Sequence, residues 1–144
     1  MICSMLVILS VKIVYVYIIL LRTPRIAHRL ADVEKFDLHV SLIHRNYQLF
    51  SIKLQLLHIL RGTKLAELYE QAPFPVFSMD EYIELLIECI RLLPPDMVIH
   101  RISGDGPKKL LVAPEWSGNK RAFLNTFSKA LRESGCFQGQ DLTN

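Results

Sequence analysis

The chain has 144 residues, of which 51% are hydrophobic and 22% are charged, and its formal net charge is +3. This length suits one ordinary domain, and the composition excludes an intrinsically disordered or collagen-like chain. The three cysteines, Cys3, Cys89 and Cys136, stand far apart, without zinc-finger, CxxC or disulfide-framework spacing. The cysteine pattern therefore favours a reducing compartment.

The N-terminal segment, residues 1–22, is strongly hydrophobic, and residues 2–21 contain a single charge, Lys12. Twenty mostly apolar residues are long enough to cross a bilayer, and the arginines that follow would keep the rest of the chain in the cytoplasm. The segment is also rich in β-branched and aromatic residues, which suit buried strands. A membrane anchor and a buried β segment both remain open at this point.

Residues 23–49 give no clear pattern, whereas the patterns sharpen from residue 50 onward. Residues 52–60 alternate at first and then become continuously apolar, which predicts a parallel strand covered on both faces. Gly62 ends this strand, and Thr63 is placed to cap a short helix over 64–70. The prolines in the segment that follows predict a loop.

A capping box marks the start of the most regular helix, because Ser78 is followed three residues later by Glu81. Apolar residues then recur at steps of three and four, and Pro94 stops the pattern, so we predict a helix over 79–93. Its buried stripe is Tyr82, Leu85, Leu86, Cys89, Ile90 and Leu93.

Residues 97–103 form the next predicted strand, which completes a βαβ unit with parallel strands. A polar loop over 104–109 and a short extended piece over 110–114 follow. Ser117 is the predicted cap of a last helix over 118–133, whose inner face would carry Phe123, Leu124, Phe127 and Leu131. Gly135 is a fitting C-terminal stop, and residues 135–144 are predicted to be a frayed tail.

Ligands of parallel α/β sheets bind beyond the carboxyl ends of the strands, and two such ends are visible here. Glycines there allow a positive φ or a close approach to a ligand, an aspartate accepts from a ribose or an amine, and an arginine pairs with a carboxylate. An ordinary turn with an Arg–Asp surface pair is the alternative interpretation. The candidate cofactor-binding residues are His58, Arg61, His100, Arg101, Gly104, Asp105 and Gly106.

Three stretches carry a resemblance to a known family. They are IKLQLLHILRGTKLAELYE, SMDEYIELLIECIRLLPPDMVIHRISGDGP and KKLLVAPEWSGNKRAFLN, all between residues 50 and 131. In order and spacing this part resembles the C-terminal part of the YhcC/YtqA group of radical S-adenosylmethionine (SAM) proteins. The resemblance implies an α/β fold for residues 50–134: the C-terminal βα units of a partial (β/α)6 barrel, here incomplete and preceded by an atypical hydrophobic N-terminal segment. It also implies a cytoplasmic location and places the candidate residues on the rim of the last barrel strands.

The resembled family uses a 4Fe-4S cluster and SAM to make a 5′-deoxyadenosyl radical. It binds the cluster through three closely spaced cysteines near the N-terminus, and this sequence has none in that spacing. We therefore expect no metal and no cofactor to be bound by this chain, and we expect a truncated, inactive family member. The strand that ends in HRISGDGP is similar to one in the elongator catalytic subunit, which implies RNA as a substrate class by analogy alone.

Two other functions remain open. The chain is a membrane-anchored α/β binding module with a basic C-terminal helix, or it is a small enzyme of unrelated mechanism that uses His58, His100 and Asp105. Residues 101–132 hold seven bases, which suit phosphates or RNA, although such a run is also typical of a solvated helix face. A sheet without its early strands exposes an edge, which favours a partner or self-association.

Overall fold

The computed structural model describes residues 5–10, 13–19, 51–104 and 106–142. In chain order the strands are β1 (Met5–Ser10), β2 (Ile13–Ile19), β3 (Ser51–Gln55), β4 (Ile59–Leu60), β5 (Val98–Arg101) and β6 (Leu111–Ala113). The α-helices are α1 (Lys64–Gln71), α2 (Met79–Leu92) and α3 (Lys120–Ser134), and short 3-10 turns cover Lys108–Leu110 and Glu115–Gly118. The poorly patterned segment over 23–49 lies outside the described residues.

The main sheet has the strand order β1-β2-β3-β5. The strands β1 and β2 are antiparallel, whereas β3 is parallel to both β2 and β5. Ile52 and Leu54 of β3 are buried, and the connection from β3 to β5 passes through β4, α1 and α2. The predicted βαβ unit with parallel strands is therefore confirmed, and the chain has a mixed α/β fold.

Residues 5–10 and 13–19 are strands, as their β-branched composition favours. Among the residues that the structure describes, no helix is both long enough and apolar enough to cross a bilayer. The first twenty residues thus contribute strands to the sheet in the ranges described, and the parallel pairing of β2 joins them to β3.

The predicted single strand over 52–60 is wrong, because the chain changes sheets within it. The strand β3 ends at Gln55, and β4 pairs antiparallel with β6 in a second, two-stranded sheet, with Ile59 opposite Ala113. Leu56 and Ile59 are both buried, so the apolar run continues through the crossing. A continuous apolar run indicates that its residues are buried, but it does not indicate in which sheet they lie.

The capping box of α2 is present as predicted. The backbone N–H of Ser78 donates to Glu81 Oε2 over 3.0 Å, and the backbone N–H of Glu81 donates to Ser78 Oγ over 3.3 Å. All six residues of the predicted stripe are buried and form most of the main core with β3 and α3. Thr63 also caps α1 as predicted, since its hydroxyl accepts from the backbone N–H of Ala66.

The predicted start of the last helix is wrong. The cap of α3 is Asn119, whose Oδ1 accepts from the backbone N–H of Ala122 over 3.2 Å. Ser117 lies in a 3-10 turn, where its hydroxyl donates to the carbonyl of Pro114 over 2.8 Å and is not available to a helix start. Phe123 and Phe127 are buried as predicted. In contrast, Leu124, predicted on the inner face, is exposed.

Gly135 ends α3 with a φ of +63°, as the sequence predicts. The prediction of a frayed tail beyond it is wrong for the described residues 136–142. The backbone N–H groups of Gly139 and Asp141 donate to Ile90 O and Arg91 O, and an ion pair joins Asp141 to Arg91. The bond from Asp141 satisfies Arg91 O, a carbonyl at the end of α2 whose usual i+4 donor position is Pro95, which has no N–H.

Candidate functional site

The carboxyl ends of β3 and β5 lie at the same edge of the main sheet, because the two strands are parallel neighbours with Lys53 opposite Arg101. The chain leaves this edge through residues 56–58 after β3 and, of the described residues, through 102–104 and 106 after β5. We call these two stretches together the rim. Residue 105, and with it the candidate Asp105, lies outside the described residues.

The rim brings three of the candidate residues together, namely His58, Gly104 and Gly106. A β-carbon built on Gly104 would lie 2.7 Å from His58 Cε1 and 2.8 Å from His58 Nδ1. A β-carbon built on Gly106 would lie 3.3 Å from Leu60 Cδ2 and 3.6 Å from His58 Cγ and Cδ2. The backbone of the loop therefore rests directly on the imidazole of His58, which is half-buried.

The sequence suggests two reasons for a glycine at position 104, namely a positive φ or a close approach to a ligand. The structure does not show the first. Gly62, Gly135 and Gly139 have positive φ values, but Gly104 does not have a φ in the left-handed region. Its backbone is therefore open to other residues, and the lack of a side chain serves a close approach instead. What approaches Gly104 in the structure is the side chain of His58.

A buried hydroxyl holds the start of the loop. Tyr82 of α2 is fully buried, and its hydroxyl donates to the carbonyl of Ile102 over 3.0 Å. Burial, with a smaller contribution from the nearby Cys89, raises the pKa of Tyr82 above its usual range, so the phenol stays protonated and can donate. The sequence analysis placed Tyr82 in the core but missed this bond, although a buried tyrosine hydroxyl usually needs a partner.

The other described candidate residues are Arg61, His100 and Arg101. Arg61 is exposed in the turn after β4, and its backbone N–H donates to Leu110 O over 2.7 Å. His100 and Arg101 are exposed on β5, where they line an open groove of about 430 Å³. Apolar residues of α3 and the tail line the other side of this groove, including Phe127 and Phe137. The cofactor-binding role predicted for these residues stays a prediction.

The two described cysteines, Cys89 and Cys136, do not supply the several closely placed thiolates that a 4Fe-4S cluster takes. Cys89 is buried in the core on α2, and this burial, together with the negative charge of Glu88, raises the pKa of its thiol to about 12. Cys136 lies beyond α3, and Cys3 is outside the described residues. Within residues 51–104 and 106–142, no three His, Cys, Asp or Glu side chains are grouped to hold a metal ion.

The APEWSGNK segment packs against Tyr82, the residue whose hydroxyl holds the start of the loop. The indole N–H of Trp116 donates to Phe77 O over 2.8 Å, and its ring lies 5.8 Å from that of Tyr82 and 5.4 Å from that of Phe123. Asn119 then caps α3. Trp116 and Asn119, which make this segment distinctive in the sequence, thus help to join α2 to α3. Trp116 also contacts Tyr82, whose hydroxyl holds the start of the loop.

Comparisons with known proteins place this arrangement in a family. Residues 50–133 match the Radical_SAM C-terminal domain. The uncharacterized protein YtqA of Bacillus subtilis is 40% identical over 89 residues, which cover 62% of this chain and 28% of YtqA. The protein YhcC of Escherichia coli K12 is 32% identical over 84 residues, covering 58% of this chain and 27% of YhcC. The chain thus spans little more than a quarter of the length of these relatives.

A solved structure shows the same fold. The archaeal Elp3 of Methanocaldococcus infernus, with an N-terminal deletion, superposes with a TM-score of 0.54 at 19% identity, covering 74% of this chain and 25% of that one. The family match extends over more than half of the 144 residues. This chain therefore belongs to the Radical_SAM C-terminal domain family.

Proposed function

We propose that this chain provides the C-terminal βα units of a radical SAM barrel, with its rim facing the bound cofactor. The observation that carries the proposal is the pairing of β3 with β5, which brings His58 and the loop of Gly104 and Gly106 to one edge of the sheet. This edge is where parallel α/β sheets bind their ligands. In the whole protein, the cluster and SAM would supply the radical chemistry.

The proposal includes that the chain is catalytically inactive alone. Its three cysteines belong to unrelated parts of the sequence, and the thiol of Cys89 is held protonated in the core. A four-iron cluster needs three or four thiolates within reach of one another. We therefore derive no step of radical formation from the residues of this chain.

Anaerobic reconstitution with iron and sulfide tests the proposal. We expect the purified full chain to bind no stoichiometric 4Fe-4S cluster, measured by iron content and visible absorbance. The matched arm is a chimera in which residues 50–133 replace the corresponding part of YtqA, which we expect to bind the cluster and to form 5′-deoxyadenosine at a rate comparable to that of YtqA. A cluster on the chain alone would contradict its inactivity. A folded, cluster-loaded chimera without SAM cleavage would contradict the role of the rim.

RNA as the substrate stays a prediction. It is supported by exposed bases on and before α3, namely Lys108, Lys109, Arg121, Lys129 and Arg132. Lys129 is engaged with Glu133 at 3.8 Å, in a pair that is well exposed. Exposed bases of this kind bind phosphates without reading a sequence, so they suit RNA in general and identify no particular RNA.

A further inference from the structure

The imidazole of His58 fills the space in which a side chain at position 104 would stand. Its Cε1 and Nδ1 face Gly104, and its Cγ and Cδ2 face Gly106, so four of the five ring atoms are turned towards the two glycines. The contact to a β-carbon at position 104 would be 2.7 Å, which is shorter than a van der Waals contact allows. The ring and the loop therefore form one packed unit.

The loop has two further supports, and each comes from a different element. Leu60 of β4 lies below Gly106, at 3.3 Å from the position of its absent β-carbon. The hydroxyl of Tyr82 on α2 holds the carbonyl of Ile102 at the start of the loop. The loop is thus held at its beginning by Tyr82 of α2, and its two glycines pack against His58 and Leu60.

We propose that His58 is a positioning residue, which sets the path of the loop around Gly104 and Gly106. A ligand at the rim would then meet the loop backbone, which the imidazole supports from beneath. This rests on the proposed function for the rim as the ligand-facing edge, but the packing itself does not depend on it. A substitution of His58 would therefore change ligand binding by changing the path of the loop.

A double-mutant cycle on the full chain tests this packing. We expect Gly104→Ala to lower the thermal midpoint by about 2–5 °C, because the new methyl group would displace the half-buried ring of His58 from its contact with the two glycines. In the His58→Ala background, the same Gly104→Ala change should cost much less, since the space in front of residue 104 is then empty. An equal loss of midpoint in both backgrounds would overturn the proposal.

Gly135→Ala is the matched control. Gly135 has a φ of +63° and open space around its β-position, so its penalty arises from the backbone alone. We expect this penalty to be the same in the parent chain and in the His58→Ala background, as distant sites usually add. Coupling of Gly135 to residue 58 of the same size as that of Gly104 would show that His58→Ala merely loosens the whole fold, and would overturn the specific role.

Nuclear magnetic resonance gives a readout that stability cannot mimic. In the unmodified chain we expect a nuclear Overhauser contact between His58 Hε1 and the Gly104 α-protons, and a ring-current shift of those protons. His58→Phe should retain the shift, and His58→Ala should abolish it. Absence of both signals in the folded chain would overturn the proposal. Because no cluster or SAM takes part in this measurement, this failure is distinguishable from failure of the proposed function.

Discussion

Tyr82 combines two roles that its place on an apolar stripe does not reveal. Its ring packs between Phe77, Trp116 and Phe123, with centroid distances between 5.8 and 6.2 Å. Its hydroxyl reaches through this core to the carbonyl of Ile102. The same residue thus contributes apolar area to the core and one directed bond to the rim.

Replacing Tyr82 by phenylalanine should separate the two roles. The ring remains, but the carbonyl of Ile102 loses its donor, so we expect Tyr82→Phe to lower the free energy of unfolding by about 1 kcal/mol. Urea unfolding measures the change. Tyr69→Phe is the control, because Tyr69 is half-buried and its ring packs edge-on against Phe74. Equal effects of the two substitutions would mean that the Tyr82 bond contributes nothing specific.

For the candidate site, the sequence predicted where the loops lie in the fold, but it did not predict which side chains touch there. The carboxyl ends of parallel strands in one sheet lie at the same edge, so the loops after the two strands were expected on one rim. That the ring would lie against Gly104 itself depends on the path of the chain after Gln55, where it crosses between sheets. Such a crossing leaves no periodic signal in nine mostly apolar residues.

At the scale of the element, the helices were predicted well where one cap was available and less well where two competed. Ser78 stands alone before α2, and the structure uses it. Ser117 and Asn119 both stand before α3, and both residue types are good caps. The hydroxyl of Ser117 bonds instead to Pro114 O, a local side chain–backbone bond that leaves Asn119 as the cap.

The cap of α2 allows a direct test. We expect Ser78→Ala to lower the free energy of unfolding by about 1 kcal/mol, because the backbone N–H of Glu81 then loses its acceptor. The denaturation midpoint measures this change. Ser128→Ala is the matched control, since Ser128 is an exposed residue within α3, and its effect should stay within about 0.5 kcal/mol. An unchanged midpoint for Ser78→Ala would contradict the energetic role of the capping box.

At the scale of the whole molecule, the C-terminal tail continues the domain beyond the family match. The match ends at residue 133, whereas the bonds from Gln138, Gly139 and Asp141 fasten the tail to the end of α2 and the start of β5. The side-chain amide of Gln138 donates to both Pro94 O and Met97 O, at 2.5 Å and 2.7 Å. One side chain thus joins the tail to both ends of the α2–β5 connection.

Substitution of Gln138 should measure what this fastening contributes. We expect Gln138→Ala to lower the free energy of unfolding by about 1–2 kcal/mol through the loss of two donated bonds. Gln138→Glu should cost more at neutral pH, because a carboxylate cannot donate and would face two carbonyl oxygens. Gln140→Glu is the control for charge, since Gln140 is exposed and its side-chain oxygen only accepts a bond from Phe137 N–H. A Gln138→Glu variant as stable as the parent chain would contradict the tail contacts.

At the N-terminal end, the structural similarity to a known protein extends further than the family match. The sequence match begins at residue 50, as the sequence analysis expected. The superposition on the archaeal Elp3 covers 74% of the chain, while residues 51–144 make up less than two thirds of it. The fold-level match therefore includes residues before Ser51. Backbone pairing depends little on residue identity, so a segment outside the family match can still add a parallel strand beside β3.

Trp116 is the single tryptophan of the chain, and its position makes it an intrinsic optical reporter. Its indole N–H is bonded to Phe77 O, and its ring contacts the rings of Tyr82 and Phe123. Separation of α2 from α3 would expose the indole to water and shift its emission to longer wavelength. Fluorescence excited at tryptophan alone would therefore follow the opening of the α2–α3 junction without any label. Comparison with circular dichroism would show whether this opening coincides with the loss of secondary structure in the chain as a whole.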